Sequence, residues 1–347
     1  MATSTAPTLS PLSFPAATFA KLSPGPYLLA HLQPSDRKAP STRPSGRAPL
    51  EHRHPSIHTG SLSHSNGSAV VRLGSTAIVC GIRAEILRAQ DIPQPYRPYQ
   101  TPSTTAPTSE PDDDSESSTE ISDLSLLVPN LELSTGSSPS NLPGNPPSTL
   151  AQSLTHRLHS LLHSTSLLRP SDLRIASFVT DPDDTETQTL VTKAYWALYI
   201  DVLLISHDGN VFDGAWLAVL AALQDVRLPA ASWDADTERV ICDPRREQGR
   251  RLRLRGLPIA GSFGVFSTES KIRGEGGQEW VLADCDAFEE GVCRETITVV
   301  VGEEGEVRRV EKSGGGKVGM GRMREVVGEA RKRAEEWRRV VVEARTE

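Results

Sequence analysis

Residues 193–206 read KAYWALYIDVLLIS, and after the short polar break HDGN the chain continues VFDGAWLAVLAALQDV. The first run is rich in Tyr, Ile, Val and Leu and predicts a central β-strand. The second predicts a helix over about 214–226 that is apolar nearly all round, and such a helix must be buried on most of its faces. A chain carrying both has to place sheet and helix in packed layers. The break between them holds two acidic residues, Asp208 and Asp213, which read either as an acid/base pair or as the punctuation of a fold.

The rest of the chain supplies those layers. The stretch SIHTGSLSHSNGSAVVRLGSTAIVCGIRAEIL alternates Val/Ile-rich runs with turns at Ser65-Asn66-Gly67 and Leu73-Gly74-Ser75. Asn-Gly between two such runs signals a hairpin, because both central turn residues need positive φ. Three antiparallel strands are expected near 56–63, 68–73 and 76–87. Leu150, Leu154, Leu158, Leu161 and Leu162 recur at helical spacing. RIASFV, RLRLRGLPIAGSFGVF, EWVLADCDAF, RETITVVV and EVRRVEKS predict further strands, with a hairpin at Gly302–Gly305. A charged helix over about 321–345 aligns Met323, Val326, Val327, Ala330, Ala334, Trp337 and Val341 along one side. The expected class is α+β, with mixed β-sheets packed against helices.

Composition bears on how much of the chain folds. The 347 residues include 26 Pro and 26 Gly, a proportion that points to segments outside any core. Residues 101–150 hold eight acidic residues and no Lys or Arg, so this segment carries −8 while the whole chain carries −7, leaving the remainder at +1. The body is therefore near neutral, and the overall acidity does not exclude a polyanionic partner. The expected organisation is a tail over 1–35 with a short docking helix in 14–32, a first domain built from 36–90 and 150–240, a disordered acidic Pro/Ser-rich insertion over 91–149, and a second subdomain with a C-terminal helix over 241–347.

Cys80, Cys242, Cys285 and Cys293 form no CxxC pair and read as free thiols in a reducing compartment. No run reaches the roughly 18 apolar residues of a membrane span, and the N-terminus lacks the basic start and apolar core of a secretory signal. The expectation is an intracellular protein with no membrane partner, no cofactor and no metal. His52, His54, His58 and His64 match no metal-site spacing and read as a polar loop and strand edge. His156, His159 and His163 share a helix face, either plain polar surface or an RNA contact. Ser262, Phe263 and Gly264 read as a close-packed strand or, alternatively, a phosphate cradle. In RLRLR the alternation places Arg251, Arg253 and Arg255 on one side of a strand. This stripe suits RNA phosphates, acidic groups of a neighbouring subunit, or solvent.

The order of these motifs resembles that of the RNase PH-like subunits of the eukaryotic RNA exosome. RPSGRAPLEHRHPSIHTGSLSHSNGSAVVRLGSTAIVCGIRAEI is similar to the family's Arg-Pro-Asp-Gly-Arg opening and its hairpin series. IDVLLISHDGNVFDGAWLAVLAAL and EEGEVRRVEKSGGG are similar to its middle and end. The resemblance implies an RNase PH-like fold and a six-membered ring of such subunits, capped by RNA-binding proteins, through which RNA is threaded. It further implies ribosomal-RNA-processing protein 46 as the neighbouring ring subunit, RNA as a partner, and residence in nucleus, nucleolus and cytoplasm.

Active members of the family transfer a terminal nucleotide to phosphate, which requires a cationic pocket and a carboxylate. Where they read Gln-Ala-Asp-Gly-Gly-Thr-Arg, this chain has Ser206, His207, Asp208, Gly209, Asn210, Val211 and Phe212. Asp208 is kept and the Thr-Arg pair is gone; upstream, SLTHRLHSLL offers Arg157 as its one arginine. The resemblance is therefore to the non-catalytic branch, with Asp208 a degenerate site position. The alternative is a phosphate-dependent 3′-5′ exoribonuclease using Asp208. Asp213, at the start of an apolar helix, is expected to cap it.

Overall fold

The computed structural model describes residues 14–34, 40–93, 118–139, 141–144, 146–180, 188–268 and 278–344. Two sheets organise it. The first contains β1 (Pro55–Thr59), β2 (Gly67–Leu73), β3 (Thr76–Arg88), β4 (Leu127–Leu133), β5 (Arg174–Thr180) and β6 (Gln188–Ser206). Its order is β1-β2-β3-β6-β4, with β5 also on β6. The long β6 is the spine: β3 runs antiparallel along one side of it, while β5 and then β4 share the other. Leu198, Ile200, Val202 and Leu204 of β6 alternate inward and are buried, as the period of two requires.

Between this sheet and the next come two small pairs. β7 (Arg227–Leu228) pairs with β10 (Arg250–Arg251), and β8 (Ala231–Asp234) with β9 (Arg239–Cys242). The second sheet has the order β12-β11-β13-β14, from β11 (Ile259–Ser267), β12 (Glu279–Ala283), β13 (Glu295–Val301) and β14 (Val307–Ser313), all antiparallel.

Helices α1 (Ala16–Leu22), α2 (Pro24–Leu32), α3 (Ser118–Asp123), α4 (Thr149–Thr165), α5 (Pro170–Leu173), α6 (Val211–Asp225), α7 (Ala287–Val292) and α8 (Met320–Ala344) fill the layers. The all-apolar helix is α6, buried from Val211 through Leu223. It touches β2 and β3 on one side and β11 on the other, which is why it has no polar face. Its Trp216 donates Nε1–H to the Pro258 carbonyl at 2.7 Å, fastening the helix to the entry of β11. The apolar stripe of α8 buries Val326, Ala330, Ala334, Trp337 and Val341 against β11, β13 and β1. The hydrophobic core runs continuously from β1 to α8.

Two expectations need correction. The segment 91–149 does not lie wholly outside the fold: residues 118–123 form α3, and Leu127–Leu133 form β4, parallel to β6. Leu127 and Leu131 face inward, and Pro129 is accommodated because β4 is an edge strand with one side unpaired. Glu120, expected to be solvated charge, is 8% exposed, ion-paired with Arg174 and hydrogen-bonded by Tyr195 Oη at 2.7 Å. The acidic run at 110–116 lies outside the described residues. The second correction concerns RLRLR. Only Arg250 and Arg251 pair as strand, with Leu228 and Arg227. Beyond them Leu252 is buried, Arg251 and Arg253 are exposed, and Arg255 is half-buried with its backbone N–H on the Leu167 carbonyl. The main chain is drawn out of register to meet the residues after α4, so the stripe shortens to Arg251 and Arg253.

Candidate functional site

The polar residues of the turn between β6 and α6 meet the second sheet at a buried ionic cluster. Its elements converge because α6 starts at the C-terminal end of β6 while α7 follows β12 nearby. Asp208 and Gly209 form the turn. Gly209 has φ +77°, and a Cβ there would lie 2.4 Å from the Asp286 carbonyl carbon and 2.5 Å from the Cys285 oxygen. Gly209→Ala therefore combines backbone strain with a collision against main chain that has no room to withdraw. We expect it to cost at least about 1–3 kcal/mol, measured as a lower urea midpoint, with Asp208→Ala as the neighbouring control.

Asp284 is the centre of the cluster. It is fully buried and accepts from the backbone N–H, Nε and Nη2 of Arg53, each at 2.8 Å. Arg47 Nη1 at 3.2 Å and Asn210 Nδ2 at 2.6 Å complete its shell. Burial by itself would raise its carboxyl. The Arg53 hydrogen bonds and the charges of Arg333 and Arg53 outweigh that and hold it well below the usual carboxylate range. Arg43, 1% exposed, pairs with the buried Glu289 at 3.0 Å. Asp286 and Glu289 form a capping box at the start of α7, so Glu289 closes the helix and receives the arginine at once. Glu290, an exposed residue, accepts the Asn210 N–H on Oε1 at 2.7 Å. Burial, reinforced by Asp213 and Asp284, pushes it up to about 7 against the pull of that N–H and of Arg53.

Asp208 retains 42% of its side-chain surface and stands 3.6 Å from Arg53, whose Nη1 also donates to the Asp208 carbonyl. His207 accepts the Gly209 N–H on Nδ1 at 3.0 Å, and burial lowers its pKa despite the neighbouring Asp208. It adds no cation at neutral pH. Arg157 reaches away from Asp208: its Nε donates to Glu311 at 2.7 Å, its Nη2 to Thr298 Oγ1 at 3.0 Å, and its guanidinium lies 3.8 Å over the Phe212 ring.

Asp213 does not cap α6, correcting the expectation. The N-cap position belongs to Asn210, in left-handed conformation and without a side-chain cap bond. Asp213 sits in the first turn, 1% exposed, and accepts from the Ser262 backbone N–H and Oγ, both at 2.7 Å. Arg333 of α8 stands 2.8 Å from it. A short helix start aimed at the facing strand finds better donors there than in its own backbone.

The remaining candidates lie apart. Ser262 also bonds Thr298 at 2.9 Å, and Gly264 is packed against two sulfurs, so this strand segment is close-packed. His52 and His54 share Glu336 at 3.0 and 2.9 Å. His159 and His163 lie with ring centres 4.3 Å apart, inclined at 55°, on α4. Among the described residues no group of three or more His, Cys, Asp or Glu is arranged to hold a metal ion, and no helix is long and apolar enough to cross a membrane. The cluster of Arg43, Arg47, Arg53, Asp284, Glu289, Glu290 and Arg333 was not singled out in the sequence. Its signals were there in the RPSGR opening and in Asp286-Ala287-Phe288-Glu289, a capping-box spacing.

Comparison with known proteins agrees with this architecture. Residues 51–229 match the 3′ exoribonuclease family, domain 1 (RNase PH). The chain is 33% identical over 304 residues to the exosome complex component rrp43 of Schizosaccharomyces pombe, covering 88% of this chain and 90% of that protein. It is 29% identical over 275 residues to the exosome complex component Rrp42 of Methanothermobacter thermautotrophicus, covering 79% and 80%. A chain of the Archaeoglobus fulgidus exosome with RNA bound to the active site shares the fold, with a TM-score of 0.61 at 22% identity over 90% of this chain and 96% of that one. The match over the first sheet and α6, together with a relative similar along nearly its whole length, shows that this chain belongs to the RNase PH 3′ exoribonuclease family.

Proposed function

We propose that this chain is a non-catalytic structural subunit of the RNA exosome core ring, of the kind represented by its rrp43 relative. It supports 3′-5′ RNA processing and degradation by helping to form the RNA channel. Its partners are the other RNase PH-like ring subunits, with ribosomal-RNA-processing protein 46 as neighbour, the cap RNA-binding subunits, and RNA. It works where that complex works, in the nucleus, nucleolus and cytoplasm.

One observation carries the non-catalytic reading: the charge around Asp208 is already neutralised. Phosphorolysis needs cations free to hold a doubly charged nucleophile and the developing phosphoryl charge, and preorganised positive charge supplies most of the acceleration in such chemistry. Here Arg53 is held by Asp284 and Asp208, Arg47 by Asp284 and Arg43 by Glu289. Arg157 is held by Glu311 and by the Phe212 ring. Val211 and Phe212 stand where active members place Thr and Arg. An added phosphate beside Asp208 would find Arg43, Arg47 and Arg53 already paired with the buried Asp284 and Glu289. The exposed pair Arg251 and Arg253 remains a contact for RNA or for a neighbouring subunit.

The test is release of nucleoside diphosphates from single-stranded RNA in phosphate buffer, by the purified chain alone and with its ring neighbour. We expect none above background, and no change in Asp208→Ala. Phosphate-dependent release that disappears in Asp208→Ala would establish the phosphorolytic alternative. Affinity purification should recover the other ring subunits; elution as a free monomer would sink the ring assignment.

A further inference from the structure

Cys285 and Cys293 bracket α7, the first just before its Asp286 cap and the second at its C-cap. The short helix folds them onto one spot. A Cβ built on Gly264 of β11 would lie 2.5 Å from the Cys285 sulfur and 2.8 Å from the Cys293 sulfur, with Cys293 Cβ at 3.2 Å. Both sulfurs therefore occupy the space a side chain at 264 would take. Both are free thiols. Cys285 is buried and donates to the Leu282 carbonyl at 3.6 Å, whereas Cys293 is half-buried.

The surroundings give this pair leverage. Cys285 packs with Leu28 and Leu32 of α2, and with Phe266 and Leu282, in a core of its own; Phe288, Val292 and Cys293 flank it. Tyr27 of α2 stands edge-on to Phe288 of α7 at 5.8 Å. The same helix carries Glu289, which holds Arg43. Whatever fixes α7 therefore fixes both the docked N-terminal helix and the arginine segment. Small glycine at 264 is what lets the sulfurs approach each other.

We propose that Cys285 and Cys293 form a reversible dithiol–disulfide pair that staples α7, oxidised by a low-molecular-weight disulfide such as oxidised glutathione. The accessible Cys293 loses its proton to solvent, and its thiolate attacks one glutathione sulfur. The glutathione S–S bond breaks, one glutathione thiolate leaves and a mixed disulfide remains. Cys285, after giving up its own proton, attacks the Cys293 sulfur and expels the second glutathione. Two protein thiols are oxidised and one glutathione disulfide is reduced to two thiols, with no other oxidant. Burial and the adjacent Cys293 raise the Cys285 thiol, which makes it the resolving rather than the attacking sulfur.

The test exposes the full chain, alone and assembled with its ring neighbour, to graded ratios of reduced and oxidised glutathione. Trapped samples are then alkylated under denaturing conditions and mapped by mass spectrometry. Of the four cysteines, two should resist alkylation, joined as a Cys285–Cys293 peptide that dithiothreitol releases, and exchange of amide hydrogens in α7 should slow. Cys242→Ser should keep the link and Cys293→Ser should abolish it; should the latter variant not fold, the mapped peptide in Cys242→Ser decides alone. Four alkylatable thiols at every ratio, glutathione stalled on Cys293, or a bond to Cys242 instead would each overturn the proposal.

Discussion

Replacing Asp284 by Asn is expected to destabilise the protein by about 3–5 kcal/mol, the range for breaking a buried ion pair and stranding its partner. Arg53 and Arg47, 11% and 14% exposed, would lose the carboxylate that both face. The substitution isolates charge from backbone, because Asp284 sits at φ +52° and Asn tolerates that left-handed conformation. The urea midpoint should fall with an unchanged m-value. The pH profile supplies a second readout. The folded carboxyl is depressed below its ordinary 3.8, so its contribution is fully present above that value and is lost as pH falls toward the folded pKa. The wild-type chain should therefore lose stability steeply below about pH 4, and Asp284→Asn should show a shallower acid limb. An unchanged acid limb would mean that the Arg53 clamp is not what depresses Asp284.

The second large effect belongs to Arg333, which α8 buries to 2% exposure between Asp213 and the Trp337 ring. Arg333→Met should cost about 3–5 kcal/mol. Asp213 would remain charged and buried with Ser262 as its hydrogen-bond donor. Adding Asp213→Asn to that variant removes the stranded charge. The double variant should thus be less destabilised than the sum of the two single ones, by about 1–3 kcal/mol in a double-mutant cycle. Strict additivity would show that Asp213 and Arg333 do not act as a pair, and that α8 is held by Trp337 and its aliphatic neighbours alone.

Both effects lie at one seam, where α6 is buried between the two sheets and α7 and α8 both reach its N-terminal turn. In this chain the charges of the seam are matched to one another and fasten the second sheet to the first.

The periodicities of local sequence settled much of this protein. The apolar runs of β6 and α6 and the stripe of α8 need only neighbours along the chain to be recognised, because strand and helix periods are properties of consecutive residues. The tight Asn66-Gly67 turn, by contrast, did not form: β1 ends at Thr59, Gly67 already lies in β2, and neither residue takes a positive φ. The loss of the Thr-Arg pair at Val211 and Phe212 is likewise visible in the sequence. Tertiary structure alone decided the rest. A Leu-rich stretch beside an acidic run became β4 because β6 offered it an open edge. Asp213 became a bridge rather than a cap because Ser262 and Arg333, distant in sequence, supply stronger partners than the helix N-terminus. Arg157 turned to Glu311 and Phe212, and separated segments of the chain brought Arg43, Arg47, Arg53, Asp284 and Arg333 to one place. Charge partners carry no period, so only the folded chain could pair them.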